Sequence, residues 1–224
     1  MCGRFVQAQS PQSYAAHFGA GLAVGEKLDP SWNVAPTDRV YAVAQHEGER
    51  TLGTFRWGLI PWYADSPKVA AKHINARAET VASKAAFKDS FARRRCIIPA
   101  DGFFEWERLD SGGKLPHYIK SEDGAPLALA GLWASWRDPA GERITTCTII
   151  TTKPNDLVEP LHDRMPVVLT REVWEDWLDP DYGDDSGLRA LLAPPPSAGM
   201  TQYAVSSLVN DVKNNYPECI EPLR

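Results

Sequence analysis

The stretch that decides the fold is CIIPADGFFEWERLDSGGKLPHYIKS, residues 96–121. On both sides of the polar turn DSGGK the residues are mostly β-branched, aromatic or aliphatic, which favours strands. Gly112 and Gly113 in the turn can adopt the positive φ angles that a tight reversal requires. The sequence therefore predicts a β-hairpin here.

Glu105 in this hairpin is a candidate catalytic acid and base. Strand alternation places Phe103 and Glu105 on one face and Phe104 and Trp106 on the other. A carboxylate among aromatic and apolar groups is poorly solvated, so we expect a raised pKa and a role in proton transfer. The alternative is an exposed glutamate at a sheet edge, a description that fits Glu107 better.

Outward from the hairpin, further strands and short helices follow in irregular order. Apolar runs predict strands in VYAVAQH, TLGTFRWGL, LALAGLWASW, ITTCTIITT and TQYAVSS. Helices are predicted after Ser10-Pro11, from Glu79 to about Arg94, and in REVWEDWL and SGLRALL. This order predicts an α+β fold with a mostly antiparallel, strongly curved sheet. No repeat or long linker divides residues 1–224, which predicts a single domain.

Composition and charge exclude several classes of protein. The 224 residues include 24 Lys and Arg against 29 Asp and Glu, a net charge of −5, which argues against coating nucleic acid through bulk charge. The longest low-charge stretch, residues 125–136, is too short to span a membrane, and no secretory signal is seen. The four cysteines lack zinc-site spacing, so no metal or other cofactor is expected. These features predict a cytoplasmic protein, and we expect a monomer.

One segment has a charge opposite to that of the whole chain. Between Arg56 and Arg95 there are nine basic residues and three acidic ones, with Trp57, Trp62 and Tyr63 among them. This combination is typical of single-stranded nucleic acid binding, because rings stack on bases while cations meet phosphates. The alternative is an ordinary solvated surface, with the tryptophans in the core.

Cys2 carries the sharpest chemical signal. Removal of Met1 would leave an α-amine and a thiol on adjacent carbons, with unperturbed pKa values of about 7.7–8.0 and about 8.5, so both would react near neutral pH. Such a 1,2-aminothiol condenses with an aldehyde into a thiazolidine ring. The same residue could instead be an N-terminal nucleophile that hydrolyses amides. The simplest alternative is a cysteine that happens to be second.

Other polar residues suit a sugar-phosphate ligand. Arg4 lies beside the candidate nucleophile, and its guanidinium can bind phosphate as a fork. In HINARAET, an extended backbone would place Asn75, Arg77 and Glu79 on one face. His162 lies in the proline-bounded loop EPLHDRMP. Each also has a plain structural interpretation, as part of a polar exposed face or as a structural histidine.

Seven motifs in order along the chain resemble one protein family. They are MCGRF, WNVAPT, WGLIPWY, INARAET, CIIPADGFFEWE, LHDRMPVVL and VNDVKNN. From residue 2 to about residue 215 the sequence is similar to the SRAP family, the SOS-response-associated peptidases or abasic-site processing proteins. The resemblance implies a barrel-like core of curved, mostly antiparallel sheets with peripheral helices, around a positively charged DNA channel.

The resemblance also implies covalent capture of abasic sites in single-stranded DNA, with AP-lyase activity where ring closure is slow. Cys2 would be the nucleophile, Asn75 would position the opened sugar, and Glu105 and His162 would move protons. The implied DNA-binding residues are Arg4, Asn33, Trp62, Tyr63, Arg77 and Arg164. Tyr63 stands where the family's aromatic wedge often has a second tryptophan.

Two other functions stay open at this point. One is a cysteine peptidase with an N-terminal nucleophile, whose minimal reaction is self-removal of Met1. The other is a non-catalytic nucleic-acid-binding module. Incubation with abasic DNA distinguishes the three functions, since only covalent capture yields a heat-stable adduct.

Overall fold

Two curved sheets form the fold in the computed structural model, which describes residues 2–23 and 27–223. The smaller sheet has the spatial order β13 (Met200–Ala204), β9 (Lys114–Ser121), β8 (Gly102–Arg108), β1 (Phe5–Gln7) and β3 (Ser31–Val34). The larger sheet has the order β12 (Met165–Pro166), β11 (Arg143–Thr152), β10 (Leu127–Arg137), β7 (Arg95–Ala100), β4 (Arg39–His46), β5 (Glu49–Trp57) and β2 (Gly21–Leu22). A further strand, β6 (Asn75–Arg77), pairs in parallel with β11.

The larger sheet closes on itself. β5 pairs antiparallel with β4 and parallel with β11, where Cys147 lies opposite Trp57. Since β4 also pairs with β7, β7 with β10, and β10 with β11, these strands form a five-stranded ring. Closure removes free strand edges, and side chains fill the interior of so small a ring. The predicted α+β fold with a barrel-like core is confirmed.

Alternation sorts the barrel residues into an interior and an exterior cluster. Val40 and Ala42 of β4 belong to the interior cluster, whereas Tyr41 and Val43 belong to the exterior one. The interior cluster also contains Phe55, Trp57, Cys96, Ile98, Leu129, Cys147 and Ile149. Full burial of such side chains is worth about 1.5–3 kcal/mol each, so both clusters contribute strongly to stability.

The stretch of residues 96–121 crosses from one sheet to the other. β8 and β9 form the predicted hairpin in the smaller sheet, with Glu105 opposite His117. Residues 96–100, in contrast, lie in β7 and pair with β10 and β4 of the barrel. The hairpin prediction is thus confirmed from Gly102 onward, whereas the segment before it belongs to the other sheet.

Asp101 and Gly102 fix the crossing. The Asp101 carboxylate accepts hydrogen bonds from the backbone of Ala8 at 2.7 Å and from the Tyr14 hydroxyl at 2.8 Å. A Cβ on Gly102 would lie 2.5 Å from the carbonyl oxygen of Ile119, so only glycine fits there. The two residues connect the end of β7 in the barrel to the start of β8 in the smaller sheet, where β8 pairs with β1.

Short helices pack outside the barrel. They are α1 (Pro11–Phe18), α2 (Lys88–Arg93), α3 (Trp174–Leu178) and α4 (Asp185–Ala190), with 3₁₀ turns at Pro67–Lys72, Arg171–Val173, Ser207–Asn210 and Pro217–Ile220. The Ser10 side chain caps α1 by accepting from the backbone of Ser13 at 3.1 Å, as the sequence predicted. No helix within the described ranges is long and apolar enough to cross a membrane.

The predicted helix from Glu79 to about Arg94 is wrong for most of its length. Only Lys88–Arg93 is helical, and residues 79–87 form successive turns. Ser83 Oγ donates to the carbonyl of Thr80 at 3.2 Å, a local bond that competes with helical pairing. The apolar residues Val81, Phe87 and Phe91 still reach the exterior cluster, which explains why their spacing resembled a helix.

Candidate active site

Cys2 lies at one end of the barrel, buried in the interior cluster. Phe5, three residues later at the start of β1, contacts the barrel residue Trp57 edge to face, with ring centroids 5.0 Å apart. Burial, reinforced by the charge of Glu105, raises the pKa of the Cys2 thiol far above its usual value. With Met1 in place this environment disfavours a thiolate near neutral pH, and the reactivity expected after removal of Met1 stays a prediction. The thiol is held protonated.

Glu105 faces the same end of the barrel. Its neighbours on the strand, Phe103 and Phe104, are fully buried on opposite faces, and Glu105 itself is only 2% exposed. Burial raises the pKa of Glu105 from 4.5 to about 7. The predicted raised pKa is confirmed, and both protonation states are populated at neutral pH.

Asn75 ties Cys2 to the barrel. β6 pairs with β11, placing Asn75 opposite Ile149, and Asn75 Nδ2 donates to the Cys2 carbonyl at 2.9 Å. The buried Oδ1 atom of the same side chain has no hydrogen-bond partner among the described residues. A buried acceptor in this state is ready for a donor supplied by a ligand.

The predicted extended segment around Asn75 is shorter than expected. Only Asn75–Arg77 is a strand, and a turn follows in which Thr80 N donates to the Arg77 carbonyl at 3.1 Å. The turn brings the Glu79 carboxylate to Arg164, whose guanidinium donates to both of its oxygens, at 2.5 and 3.0 Å. Arg77 itself is exposed on the strand. Thus Arg77 is accessible to a ligand, whereas Arg164 is already paired.

His162 follows a turn that begins at Asn155. Burial lowers the pKa of His162, so the ring is neutral at pH 7. The backbone N–H of Arg164 donates to its Nδ1 at 3.0 Å. Asp163 Oδ1 also lies 2.9 Å from Nδ1, and the Asp163 side chain is 87% exposed.

An open cleft of about 740 Å³ borders His162. The basic side chains on its wall are Arg108, the last residue of β8, and Lys153, which follows β11. The acidic ones are Glu159 and Asp163. The cleft gives a polymeric ligand access to His162 from solvent. The sequence did not single out Arg108.

Arg4, just before β1, and Asn33 in the neighbouring strand β3 lie together, and both are predicted to bind DNA. Asn33 is 2% exposed, and its Oδ1 accepts from the Arg4 guanidinium at 2.7 Å. Asn33 Nδ2 donates to the carbonyls of Val209, Asp211 and Asn214 at 3.2, 3.1 and 2.8 Å. We name residues 207–215 the C-terminal latch. The contacts of Asn33 indicate that it holds Arg4 and this latch in place. DNA contact by Asn33 stays a prediction.

The latch was missed as a structural element by sequence reasoning. Arg4 Nη1 donates to its Val209 carbonyl at 2.8 Å, and the Trp106 indole donates to Asn210 Oδ1 at 2.7 Å. The available signal was the motif VNDVKNN, whose many amide side chains are typical of loops fixed by side-chain to backbone hydrogen bonds.

Trp62 and Tyr63 protrude from the loop that follows β5. They are 68% and 48% exposed, and their rings meet edge to face with centroids 5.7 Å apart. Trp57 of the same basic segment is instead fully buried. The structure therefore leaves Trp62 and Tyr63 accessible to a ligand, as their predicted role in an aromatic wedge requires.

Known proteins share the sequence of this chain over nearly its whole length. A family model described as SOS response associated peptidase (SRAP) matches residues 1–212. The chain belongs to the SRAP family. It is 46% identical over 222 residues to the abasic site processing protein YoqW of Bacillus subtilis (strain 168), with 99% of each chain covered. It is 31% identical over 228 residues to the abasic site processing protein YedK of Escherichia coli (strain K12), with 100% of each chain covered.

More distant relatives extend the same picture. The abasic site processing protein HMCES of Xenopus tropicalis is 35% identical, over 87% of this SRAP chain and 67% of that protein. A crystal structure of a protein from Bacteroides thetaiotaomicron matches with a TM-score of 0.89 at 28% identity, both chains being covered in full. The family predicted from the seven motifs is confirmed.

Proposed function

We propose that this SRAP protein captures abasic sites in single-stranded DNA covalently through Cys2, as a monomer. The observation that carries the proposal is the meeting of Cys2, Asn75 and Glu105 at one end of the barrel. Asn75 Nδ2 lies 2.9 Å from the Cys2 carbonyl oxygen, and the charge of Glu105 acts on the Cys2 thiol. The names of its relatives, as abasic site processing proteins, support the same substrate.

Amine attack begins the proposed reaction. An abasic deoxyribose is mostly a closed hemiacetal, so a proton must move before its C1′ aldehyde is free. Glu105, with a pKa of about 7, can both give and take that proton at neutral pH. Once Met1 has been removed, the Cys2 α-amine adds to C1′, and loss of one water molecule gives an imine.

Thiol addition then closes the ring. The Cys2 S–H adds across the C=N bond, so that sulfur bonds to C1′, the proton passes to nitrogen and nothing leaves. Because burial keeps the thiol protonated, a base must accept its proton as the S–C bond forms. The Glu105 carboxylate is close enough to act on the thiol and fits this step. If closure is slow, the imine allows β-elimination, which would appear as AP-lyase activity.

The remaining residues are proposed to orient the sugar and its phosphates. Asn75 Oδ1, buried and without a partner among the described residues, would accept a hydrogen bond from a sugar hydroxyl. His162, whose pKa is lowered by burial, would assist ring opening or crosslink reversal. Exposed Arg77 would meet a phosphate directly, whereas Arg164 would have to exchange Glu79 for it.

A denaturing gel with single-stranded abasic DNA tests the proposal. The mature protein should give a heat-stable shifted band. Cys2→Ser keeps the amine and should form only an adduct that borohydride must trap. A chain with Met1 retained by a fused tag keeps the thiol but has no free α-amine, so it should bind DNA without forming the adduct.

Three results would contradict covalent capture by the Cys2 amine. Equal crosslinking by the Met1-retained chain would require a lysine imine or a simple thiol adduct. Release of Met1 by the purified chain without any adduct would favour the peptidase. Binding of DNA with neither reaction would favour a non-catalytic module.

Cys219→Ser is the matched control, since Cys219 is also a free, buried cysteine but belongs to a different core cluster.

A further inference from the structure

A second pocket, of about 370 Å³, lies apart from Cys2 between the loop after β5, helix α2 and the ends of β10 and β11. Its volume is at the low end of the range for small-molecule sites. Ile149 faces Asn75 at the active site, and Arg143 lies six residues earlier on the same strand, at the rim of this pocket. At about 3.3 Å per residue, the two places are roughly 20 Å apart along β11.

Three aromatic residues wall the pocket. Trp62 and Tyr63 stand at its mouth, and half-buried Trp133 of β10 lies deeper, at the open end of the barrel. Trp62 is held towards helix α2, because its indole donates to Asp89 Oδ2 at 3.4 Å. The walls therefore offer ring faces to a flat ligand.

Two arginines supply positive charge beside these rings. Arg94 and Trp133 both line the pocket, and their backbones are joined where Trp133 N donates to the Arg94 carbonyl at 2.8 Å. The Arg94 Nε atom is buried and has no hydrogen-bond partner among the described residues. Arg143 lies at the rim. Asp89 is the acidic group of the lining, and it already accepts from Trp62.

We propose that this pocket binds one nucleotide of the DNA strand whose abasic site lies at Cys2. The base would stack against the aromatic walls, and its phosphate would meet Arg94 and Arg143. The inference rests on the proposed function, because the strand must also reach Cys2. Over 20 Å, a stacked strand spans about six nucleotides, so short oligonucleotides cannot occupy both places.

Capture rates on two substrates test the proposal. An abasic site with eight nucleotides on each side is compared with one that has two on each side, at protein concentrations below saturation. The wild-type protein should capture the longer substrate faster. Replacing both arginines, Arg94→Gln with Arg143→Gln, should reduce that advantage by about tenfold, in the range expected for one stacked base, and leave the shorter substrate unaffected.

The variant is chosen to keep the fold intact, since Arg94 Nε makes no hydrogen bond within the described chain. Arg93→Gln is the matched control, because Arg93 is adjacent, exposed and not part of the pocket wall. If the double variant captured the longer substrate as much faster than the shorter one as the wild type does, the proposal would be overturned. Saturable binding of deoxyadenosine monophosphate without any effect on the longer substrate would also overturn it and would assign the pocket to free nucleotides.

Failure of the proposed function gives a different pattern. If no substrate forms an adduct, fluorescence anisotropy on intact 17-mer and 5-mer single strands replaces the capture assay. The double variant should then lose affinity for the 17-mer alone. Equal affinities of variant and wild type for both strands would overturn the pocket without bearing on Cys2.

Discussion

The Glu105 carboxyl group makes a testable contribution to stability. Its pKa is about 7 in the folded chain and close to 4.5 when unfolded, so the folded state binds more protons between these values. The free energy of unfolding therefore falls as pH rises through this window. The full loss, on the order of 3 kcal/mol, is reached above pH 7. Replacing the group with an uncharged amide of equal size should remove this cost.

We expect Glu105→Gln to melt at a higher temperature than the wild type at pH 8, with the difference vanishing near pH 4. Thermal denaturation at both pH values measures this. The same variant should crosslink abasic DNA about 10²-fold more slowly, because the proton donor and acceptor is lost. Glu107→Gln is the control, since Glu107 is half-buried and bonded to His117. A wild type more stable than Glu105→Gln at pH 8 would contradict the assigned environment.

At the scale of elements, the C-terminal latch connects β3, through Asn33, with β8, through Trp106, and with Arg4 near Cys2. Asn33 is its centre, as one buried amide that donates to three latch carbonyls and accepts from Arg4. Removing that amide leaves several buried groups without partners, each costing about 1–3 kcal/mol. The latch therefore depends on Asn33 more than on its exposed contacts.

We expect Asn33→Ala to lower the free energy of unfolding by about 3 kcal/mol, measured by urea denaturation. Asn210→Ala, which removes only the exposed bond to the Trp106 indole, should cost 1 kcal/mol or less. If Asn33→Ala kept its stability but lost affinity for single-stranded DNA, Asn33 would be a DNA contact, as the resemblance implied.

Local pattern was enough to predict the longer strands and the environment of Glu105, but not the short strands β1, β2, β3 and β12. Alternation in β8 gave the right faces because each residue's neighbours in the sequence set its side. The helix predicted from Glu79 failed since Val81, Phe87 and Phe91 reach one core through turns that mimic helical spacing. Neither the burial of Cys2 nor the Arg164–Glu79 pair could be predicted, because partners distant in the sequence create both.

For the molecule as a whole, the net charge of −5 conflicts with binding a polyanion unless positive charge is concentrated locally. The basic segment provides this, but its arginines, and Arg164 outside the segment, differ in availability. Arg95 is buried and bonded to backbone carbonyls such as that of Trp177 at 2.7 Å, and Arg164 is paired with Glu79. Arg77 is exposed near Asn75, so it is the better candidate for a phosphate contact.

Salt dependence measures that contact directly. Each phosphate neutralised on a single strand contributes about −0.7 to the slope of log K against log salt concentration. Arg77→Gln should therefore flatten the slope by about 0.7 and weaken binding to intact and abasic strands alike. Fluorescence anisotropy from 50 to 300 mM salt provides the slopes. Arg189→Gln on α4, an exposed arginine paired with Asp185, should leave the slope unchanged. Equal slopes for Arg77→Gln and the wild type would remove Arg77 from the DNA path and leave Arg164, after release of Glu79, as the arginine that holds the phosphate.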